Sequence, residues 1–468
     1  MGTISEIYES AAADGPKYRA VADAIRGAIG AGTLQPGDKL PPVRELAWQL
    51  SITPGTVARA YTCLTDDGIA TASVGRGTFV ADPEANRHAA RDRHFAHDNT
   101  AEESDLVNLF SPRLPDMGQV ALIHDAFAQL SGRPPLDLLN YPTRTGYAPA
   151  RRAALRWLAD SDLGEVREKH VVLTHGGQSG VSLVMQAVLK GRWPVILVEE
   201  LSYPGFRRAA ELLRADVVAV PMDGHGIIPQ ALDEAASRHE AQLLCTSPEV
   251  HNPTGIVTPP ERREEIAEVA RLRGFHVLED DCYRLSRASG PSYRKLLPGQ
   301  GWHLSSVSKT LSPALRVGFA VAPDGLEGRL RRAAEHGYFG LARPLTDLTE
   351  DLLTRDETYR VLDGVRKEYQ RYVRAAVEIL DCPDLVWHED IPFLWLPLPR
   401  GWRAGAFVRA AEAHGVQLRS ADDFALRDGF APHAVRLAVN AQVSLKSFEA
   451  AMWRLRRLLE DLPDQIEV

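Results

Sequence analysis

The spacing of apolar residues changes along the chain and predicts two kinds of structure. Near the start, Tyr18, Val21 and Ile25 recur at intervals of three and four residues, which predicts a helix over residues 17–30. From Leu106 onward, short β-branched runs alternate with helical stretches; the runs are 171–173, 195–198, 217–220, 243–246, 276–279 and 317–321. Such alternation predicts an α/β domain built around a largely parallel sheet.

The first eighty residues contain two further predicted helices and a hairpin. A short helix follows the prolines at 41 and 42, and a third helix begins at Pro54 with Thr53 as its N-cap. Two β-like pieces then flank a Gly-Arg-Gly tip. This order is the plan of a winged helix-turn-helix domain, in which the helix after the turn enters the major groove of DNA.

The residues expected to contact DNA are short donors and arginines on these elements. They are Arg44, Thr53, Thr56, Arg59 and Arg76. The alternative is a small helical bundle whose arginines are only solvated.

Composition and charge indicate a protein of two parts that resides in a reducing compartment and does not span a membrane. Residues 16–80 carry a net charge of about +2 although the whole chain carries −8, so the remainder is strongly acidic. The four cysteines are far apart with no CxxC pair, and no apolar run could span a bilayer. The first residues lack the basic and apolar regions of a secretory signal. We therefore expect a cytoplasmic protein without a membrane partner.

A linker is predicted over residues 81–105, because this stretch mixes charges without an apolar period. It contains His88, His94 and His97, whose spacing matches no metal-ligand pattern, so no metal site is expected. The predicted domains are 1–80, the linker 81–105, and 106–468, with a large part over about 106–345 and a small part over about 346–468.

Lys309 lies in an uncharged run of hydroxyl residues, Leu-Ser-Ser-Val-Ser-Lys-Thr-Leu-Ser, and Arg316 follows seven residues later. A lysine in such a segment is a plausible Schiff-base nucleophile, and the hydroxyls with Arg316 suit a phosphate monoester. Together they predict a pocket for pyridoxal phosphate. The alternative is a surface lysine in a serine-rich loop.

Polar residues also follow several of the predicted strands, where α/β folds bind ligands. A Gly-Gly-Gln turn at Gly177 precedes a helix and could bind phosphate, and Tyr203 offers a ring to stack on a pyridine. Asn252 offers an amide donor, and the pair Asp280-Asp281 offers a carboxylate that could keep a pyridine nitrogen protonated. In isolation these acids could equally cap a helix or loop.

Two resemblances sharpen these expectations. Residues 34–47, 56–61 and 75–80 resemble the GntR family of bacterial regulators, with Pro42 where that family commonly has Ser. Residues 106–460 resemble the aspartate aminotransferase superfamily of fold type I pyridoxal-phosphate enzymes. The second resemblance implies that Lys309 carries the internal aldimine, Asp280 pairs with the pyridinium, and Arg436 binds a substrate carboxylate. Asp281 remains the alternative to Asp280.

The same resemblance implies the other cofactor contacts. These are Gly177, Gln178, Ser306, Ser308 and Arg316 for the phosphate, Asn252 and Tyr283 for the phenolic oxygen, Tyr203 for stacking, and Tyr141 for the partner subunit's phosphate. A GntR-type head on an aminotransferase-like body resembles the MocR subfamily of transcription factors. This subfamily implies a head-to-tail homodimer that binds a DNA operator and senses pyridoxal phosphate or an amino effector. The alternative function is a working aminotransferase with an accessory DNA-binding domain.

Overall fold

The structure, a computed structural model, describes residues 17–50, 52–66, 69–73, 77–81, 106–132, 147–426 and 429–461. The chain divides into two compact units, Met1–Glu103 and Ser104–Val468. Arg76, Tyr141 and the linker residues 82–105 lie outside the described residues. None of the helices in the described part of the chain combines the length and apolar character needed to cross a membrane.

The first unit has the predicted order of helices and hairpin. Its elements are α1 (Lys17–Gly30), α2 (Val43–Gln49), α3 (Pro54–Asp66), β1 (Ala70–Ser73) and β2 (Gly77–Val80). The two strands pair antiparallel, with Ala70 opposite Val80. The winged helix-turn-helix plan is therefore confirmed.

The core of this head forms where the apolar stripes of α1 and α3 meet. Val21, Ile25, Val57 and Leu64 are fully buried together, as their helical spacing predicts. The Tyr61 hydroxyl donates a buried 2.7 Å hydrogen bond to the Pro41 carbonyl. This bond fixes α3 against the segment that leads into α2.

A seven-stranded sheet forms the centre of the second unit. Its strands are β4 (Val171–Thr174), β5 (Val195–Glu199), β6 (Asp216–Val220), β9 (Leu243–Thr246), β10 (His276–Asp280), β11 (Gly301–Ser306) and β12 (Gly318–Val321). Their order is β4-β12-β11-β10-β9-β5-β6, and only β12 within this sheet runs antiparallel to its neighbours. The predicted, largely parallel sheet is confirmed.

Strand β11 was not predicted, because His303, Ser305 and Ser306 interrupt its apolar pattern. All six of its residues are nevertheless buried, since β11 lies between β10 and β12 inside the sheet. Neighbouring strands rather than local periodicity make this segment a strand.

Helices cover both faces of the sheet. They are α4 (Gln119–Ser131), α5 (Ala148–Trp157), α6 (Gly176–Val188), α7 (Pro204–Leu212), α8 (Pro229–His239), α9 (Pro260–Arg273), α10 (Tyr293–Leu296), α11 (Glu327–Tyr338) and α12 (Arg343–Thr354). A short hairpin, β7 (Met222–Asp223) and β8 (Gly226–Ile227), precedes α8. Alternate strand residues face opposite layers: Val172 packs in the cluster of α6, α7 and α11, whereas Leu173 packs in the cluster of α4, α5 and α12.

The C-terminal lobe has its own core. It contains α13 (Asp356–Leu380), β13 (Phe393–Pro397), α14 (Ala404–Ala413), β14 (Val416–Gln417), β15 (Arg419–Ser420), β16 (Ala434–Ala438) and α15 (Leu445–Glu460). Strand β3 (Val107–Asn108) pairs with β14, so the first residues of the body belong to the core of this lobe. Three strands form its antiparallel sheet in the order β13-β16-β15.

The division between the lobes lies after α12. Leu348, Leu352 and Leu353 of this helix pack with Val171 and Leu173 in the large lobe. Helix α12 therefore packs with the large lobe, and the predicted start of the C-terminal part at about residue 346 stays approximate.

The C-terminal core predicts a strong contrast between two phenylalanines. Phe407 on α14 is 0 % exposed, whereas Phe430 is 84 % exposed. Phe407→Ala should lower the free energy of unfolding by about 3–5 kcal/mol, because it leaves a cavity. Phe430→Ala should change it by less than about 0.5 kcal/mol. Urea denaturation followed by circular dichroism measures both, and equal midpoints would contradict this packing.

Candidate functional site

The strand ends of the central sheet bring the predicted polar residues together. Strands β10 and β11 run parallel, with Asp280 opposite Leu304, so both end at the same edge. Lys309 follows β11 directly, at the end of the 3₁₀ turn Val307–Lys309. The carboxyl-end site expected from the α/β pattern is thus formed around Lys309.

Lys309 Nζ donates to Ser111 Oγ at 3.2 Å and lies 5.3 Å from the centre of the Tyr283 ring. Burial alone would raise the pKa of Tyr283, but the positive charges of Lys309 and Arg436 outweigh it and lower that pKa. The Lys309 amine therefore shares one pocket with a phenol whose pKa it lowers.

The two adjacent aspartates lie in different environments. Asp280 Oδ1 accepts a 3.1 Å hydrogen bond from the Cys282 backbone N–H, and its charge raises the pKa of Tyr203 after the larger effect of burial. Asp281 instead forms a 2.7 Å ion pair with Arg284 and lies 3.6 Å from His303 Nε2. Burial raises the pKa of Asp281 to about 6. Among the described residues, Asp281 therefore has an arginine partner and Asp280 forms no ion pair.

Tyr203 is held at the start of α7 by a short chain of hydrogen bonds. Its hydroxyl donates to Gln178 Oε1 at 2.9 Å, and Gln178 Nε2 donates to the Gly205 carbonyl at 3.0 Å. A Cβ atom at Gly205 would lie 2.1 Å from Gln178 Oε1 and 2.2 Å from Tyr203 Cε1. Glycine at 205 is thus required for the observed position of the Tyr203 ring.

The start of α6 and the Arg316 side chain meet at one end of the site. Gly176, the first residue of α6, has φ +76°, and a Cβ there would lie 3.0 Å from Arg316 Nη2. Arg316 itself is exposed and has φ +51°, an uncommon conformation outside glycine. The unpaired N–H groups of the first helical turn, which include those of Gly177 and Gln178, and a guanidinium together form an anion-binding arrangement.

The Ser306 hydroxyl takes part in the turn that positions Lys309. Its Oγ accepts from the Ser308 N–H at 3.1 Å and lies 3.0 Å from both the Val317 carbonyl and Ser308 Oγ. Both serines thus lie in the turn that carries Lys309, and their contact with a phosphate stays a prediction.

Arg436 lies in the middle of β16 and is only 3 % exposed. Its Nη1 donates to Asn252 Oδ1 and its Nη2 to the Phe110 carbonyl, both at 2.5 Å. The guanidinium also lies between the rings of Phe393 and Phe424. Burial lowers the pKa of Arg436 to about 10, and its buried Nε finds no hydrogen-bond partner among the described residues.

Two of these neighbours were not anticipated. Phe110 and Ser111 come from the segment that enters the body, about two hundred residues before Lys309 along the chain. The alternating apolar residues Val107 and Leu109 were the available signal for an ordered strand there.

The head presents most of the residues predicted to contact DNA. Arg44 on α2 and Thr53 before α3 are exposed, and Thr53 Oγ1 lies 2.9 Å from Thr56 Oγ1. Arg59 is exposed too, but its Cζ lies 4.4 Å from the centre of the Tyr18 ring. Trp48, one turn after Arg44, is 83 % exposed on the same outer face.

Family models match both units. The model described as Aminotransferase class I and II matches residues 119–455, and the model described as Bacterial regulatory proteins, gntR family, matches residues 17–80. The chain belongs to the aminotransferase class I and II family. Its GntR-family head on this body gives the MocR architecture expected from the sequence.

Known relatives share the whole architecture or the body alone. The vitamin B6 salvage pathway transcriptional repressor PtsJ of Salmonella typhimurium is 30% identical, over 87% of this chain and 93% of that protein. The 2-aminoadipate transaminase of Thermus thermophilus is 32% identical, over 69% of this chain and 82% of that protein. The crystal structure of LysN, an α-aminoadipate aminotransferase from Thermus thermophilus, is 26% identical with a TM-score of 0.67, covering 76% of this chain and 92% of its own.

Membership of the aminotransferase class I and II family implies pyridoxal phosphate as the cofactor. The residues present fit pyridoxal phosphate both at its phosphate and at its ring. The start of α6 with Arg316 suits the phosphate, and the space left by Gly205 allows an aromatic ring beside the site. The buried, unpartnered Arg436 Nε suits the carboxylate of an amino compound.

The close approach at Gly205 predicts a cofactor-binding defect in the aminotransferase-like body. Gly205→Ala should displace the Tyr203 ring and weaken pyridoxal phosphate binding about tenfold. Gly224→Ala is the matched control, because an added Cβ there has no neighbour within 4 Å. Absorbance titration of the apoprotein with the cofactor measures both affinities. Equal affinities in the two variants would contradict the proposed crowding.

Proposed function

We propose that this protein is a DNA-binding transcriptional regulator that senses pyridoxal phosphate or an amino compound at Lys309. The observation that carries the proposal is the assembly of Lys309, Asp280 and Arg436 in a chain that also has a GntR head with exposed Arg44 and Thr53. Such a regulator works in the cytoplasm, where its DNA is.

The head would bind duplex DNA with α3 in the major groove. Thr53 and Thr56 stand at the start of that helix, and Arg44 lies on α2, from which it could reach the phosphate backbone. Arg59 is stacked on the Tyr18 ring and would present the edge of its guanidinium group to the DNA. Arg76 would remain the expected wing contact.

The body would hold the cofactor through its own residues in fixed roles. Lys309 would bind it covalently, Asp280 would hold the ring nitrogen protonated, and Tyr203 would stack on the ring. Arg316, Ser306, Ser308 and the start of α6 with Gly177 and Gln178 would bind the phosphate, and Tyr141 would reach the partner subunit in a head-to-tail dimer. When bound, pyridoxal phosphate supplies an electrophilic carbon for amines and a ring that withdraws electrons.

Arg436 offers a physical link between ligand binding and lobe position. It belongs to the C-terminal lobe, yet it donates to Asn252 of the large lobe and to Phe110 of the entering segment. A carboxylate on Arg436 would change these contacts and so shift the balance between lobe arrangements. Such a shift could alter the placement of the heads on their two half-sites.

Two relatives suggest one effector class. PtsJ and the pyridoxine biosynthesis regulator PdxR of Corynebacterium glutamicum point to vitamin B6, for which the cofactor itself would be the signal. The regulator TauR of Rhodobacter capsulatus is 30% identical over 62% of this chain.

A second candidate function is transamination. The favouring observation is that Lys309, Asp280, Tyr283 and Arg436 converge on one pocket, as transfer of an amino group requires. The similarity to the Thermus thermophilus 2-aminoadipate transaminase supports it. Multiple turnovers without specific DNA binding would favour this function over regulation.

A gel shift tests the regulator. Wild-type protein should bind DNA upstream of its own or a neighbouring gene, at a stated salt concentration, and pyridoxal phosphate or one amino compound should change that binding. Lys309→Ala should keep the DNA binding and lose the response, because the amine that holds the cofactor is gone. Lys446→Ala, an exposed lysine on α15, is the control. A Lys309→Ala protein that responds to every ligand as wild type does would refute the proposed sensor.

The different environments of the two aspartates give a second prediction. Asp280→Asn should weaken pyridoxal phosphate binding about tenfold or more, because a charged partner of the ring nitrogen is lost. Asp281→Asn should leave that affinity within about threefold and instead lower stability, because it breaks the Arg284 ion pair. Cofactor titration and thermal unfolding of both variants measure the contrast. The reverse pattern would assign the pyridinium partner to Asp281.

A further inference from the structure

Two arginines stand side by side at the ligand end of the site. Strand β15 pairs antiparallel with β16, and Arg419 lies directly opposite Arg436. Directly opposed residues of an antiparallel pair lie on the same face of the sheet, so both side chains extend toward the cleft. Arg419 has no role in the cofactor contacts described above.

Both guanidinium groups converge on one oxygen atom. Arg436 Nη2 lies 2.5 Å and Arg419 Nε 3.2 Å from the Phe110 carbonyl. Because both nitrogen atoms donate to the same oxygen atom, the two guanidinium groups are close neighbours. Like charges directly opposite each other destabilise a sheet unless an anion compensates them. Arg419 accordingly lowers the pKa of Arg436 further, after the larger effect of burial.

The nearby carboxylates compensate this charge only in part. Asp423 Oδ2 lies 3.8 Å from Arg419 Nη1, which is too long for a hydrogen bond, and the Asp423 side chain is 49% exposed. Asp422 accepts instead from the Ser420 hydroxyl. Arg208 on α7 adds a further positive charge that acts on Asp423. The cleft therefore retains excess positive charge beside the unpartnered Nε of Arg436.

We propose that the amino effector carries two acidic groups, with one carboxylate on Arg436 and the second on Arg419, and that Asp423 is the counter-ion which the second carboxylate displaces. This inference rests on the proposed function. An exposed, long ion pair such as Arg419–Asp423 is weak, so a ligand breaks it at little cost. The short separation of the guanidinium groups suits an amino diacid of four to six carbons.

Glutamate and glutamine provide an isosteric pair for the test. Each is titrated into the holoprotein, and binding is followed by the visible absorbance of the cofactor and by calorimetry. Wild-type protein should bind glutamate about tenfold or more tightly than glutamine, because a charged hydrogen bond to Arg419 is gained. Aspartate and 2-aminoadipate extend the comparison to shorter and longer diacids.

Two variants move the preference in opposite directions. Arg419→Gln should remove the glutamate preference while glutamine binding stays within about twofold, since the Arg436 subsite is intact. Asp423→Asn should strengthen glutamate binding about threefold or more, because the competing carboxylate is gone. Thermal unfolding of each variant checks that the fold is retained. The opposite signs separate a ligand contact from a merely structural role.

The outcomes distinguish this inference from the proposed function. A glutamate preference lost in Arg419→Gln supports the inference. Equal binding of glutamate and glutamine by wild type, or a preference that survives Arg419→Gln, overturns it and leaves the amino-compound sensor intact. If the cofactor-loaded protein binds no amino compound, both the amino-compound sensor and this inference are overturned.

Discussion

A buried guanidinium holds the architecture of the body together. A charge taken out of water is costly unless hydrogen bonds replace its hydration, and Arg436 obtains them from two different parts of the chain. Asn252 accepts from it in the large lobe, and the Phe110 carbonyl accepts from it in the entering segment. The rings of Phe393 and Phe424 cover its faces. Because these partners leave Nε unsatisfied, the same arginine that joins the lobes is also available to a ligand.

The chemistry of the site follows from the direction of the strands. Parallel neighbours β10 and β11 end together, so a carboxylate and an amine from different segments reach one pocket. Asp280 is the last residue of β10 and accepts from the Cys282 backbone N–H, whereas Asp281 follows the strand, pairs with Arg284 and lies near His303. A shift of one residue in the β10 register would exchange these environments.

The two units place their charges differently. Residues 16–80 of the head carry about two positive charges in excess, and Arg44 and Thr53 are exposed there, which suits a polyanion such as DNA. The body is acidic overall, yet it concentrates arginines in its cleft, where partial burial strengthens their attraction for a small acid. The proposed function thus assigns each unit an anionic ligand of a different size.

The sequence by itself determined the order of elements, the winged helix-turn-helix head and the largely parallel sheet, because periodicity, caps and strand ends are local signals. The roles of Lys309, Asp280 and Arg436 came from resemblance to a family and stay predictions. The tertiary structure decided which groups meet. Strand β11 exists because its neighbours bury it, the Ser306 hydroxyl accepts from the Ser308 N–H in the turn before Lys309, and Arg419 stands beside Arg436 only through the β15–β16 register. These outcomes depend on pairing and lobe packing between distant segments, and no local pattern encodes such contacts.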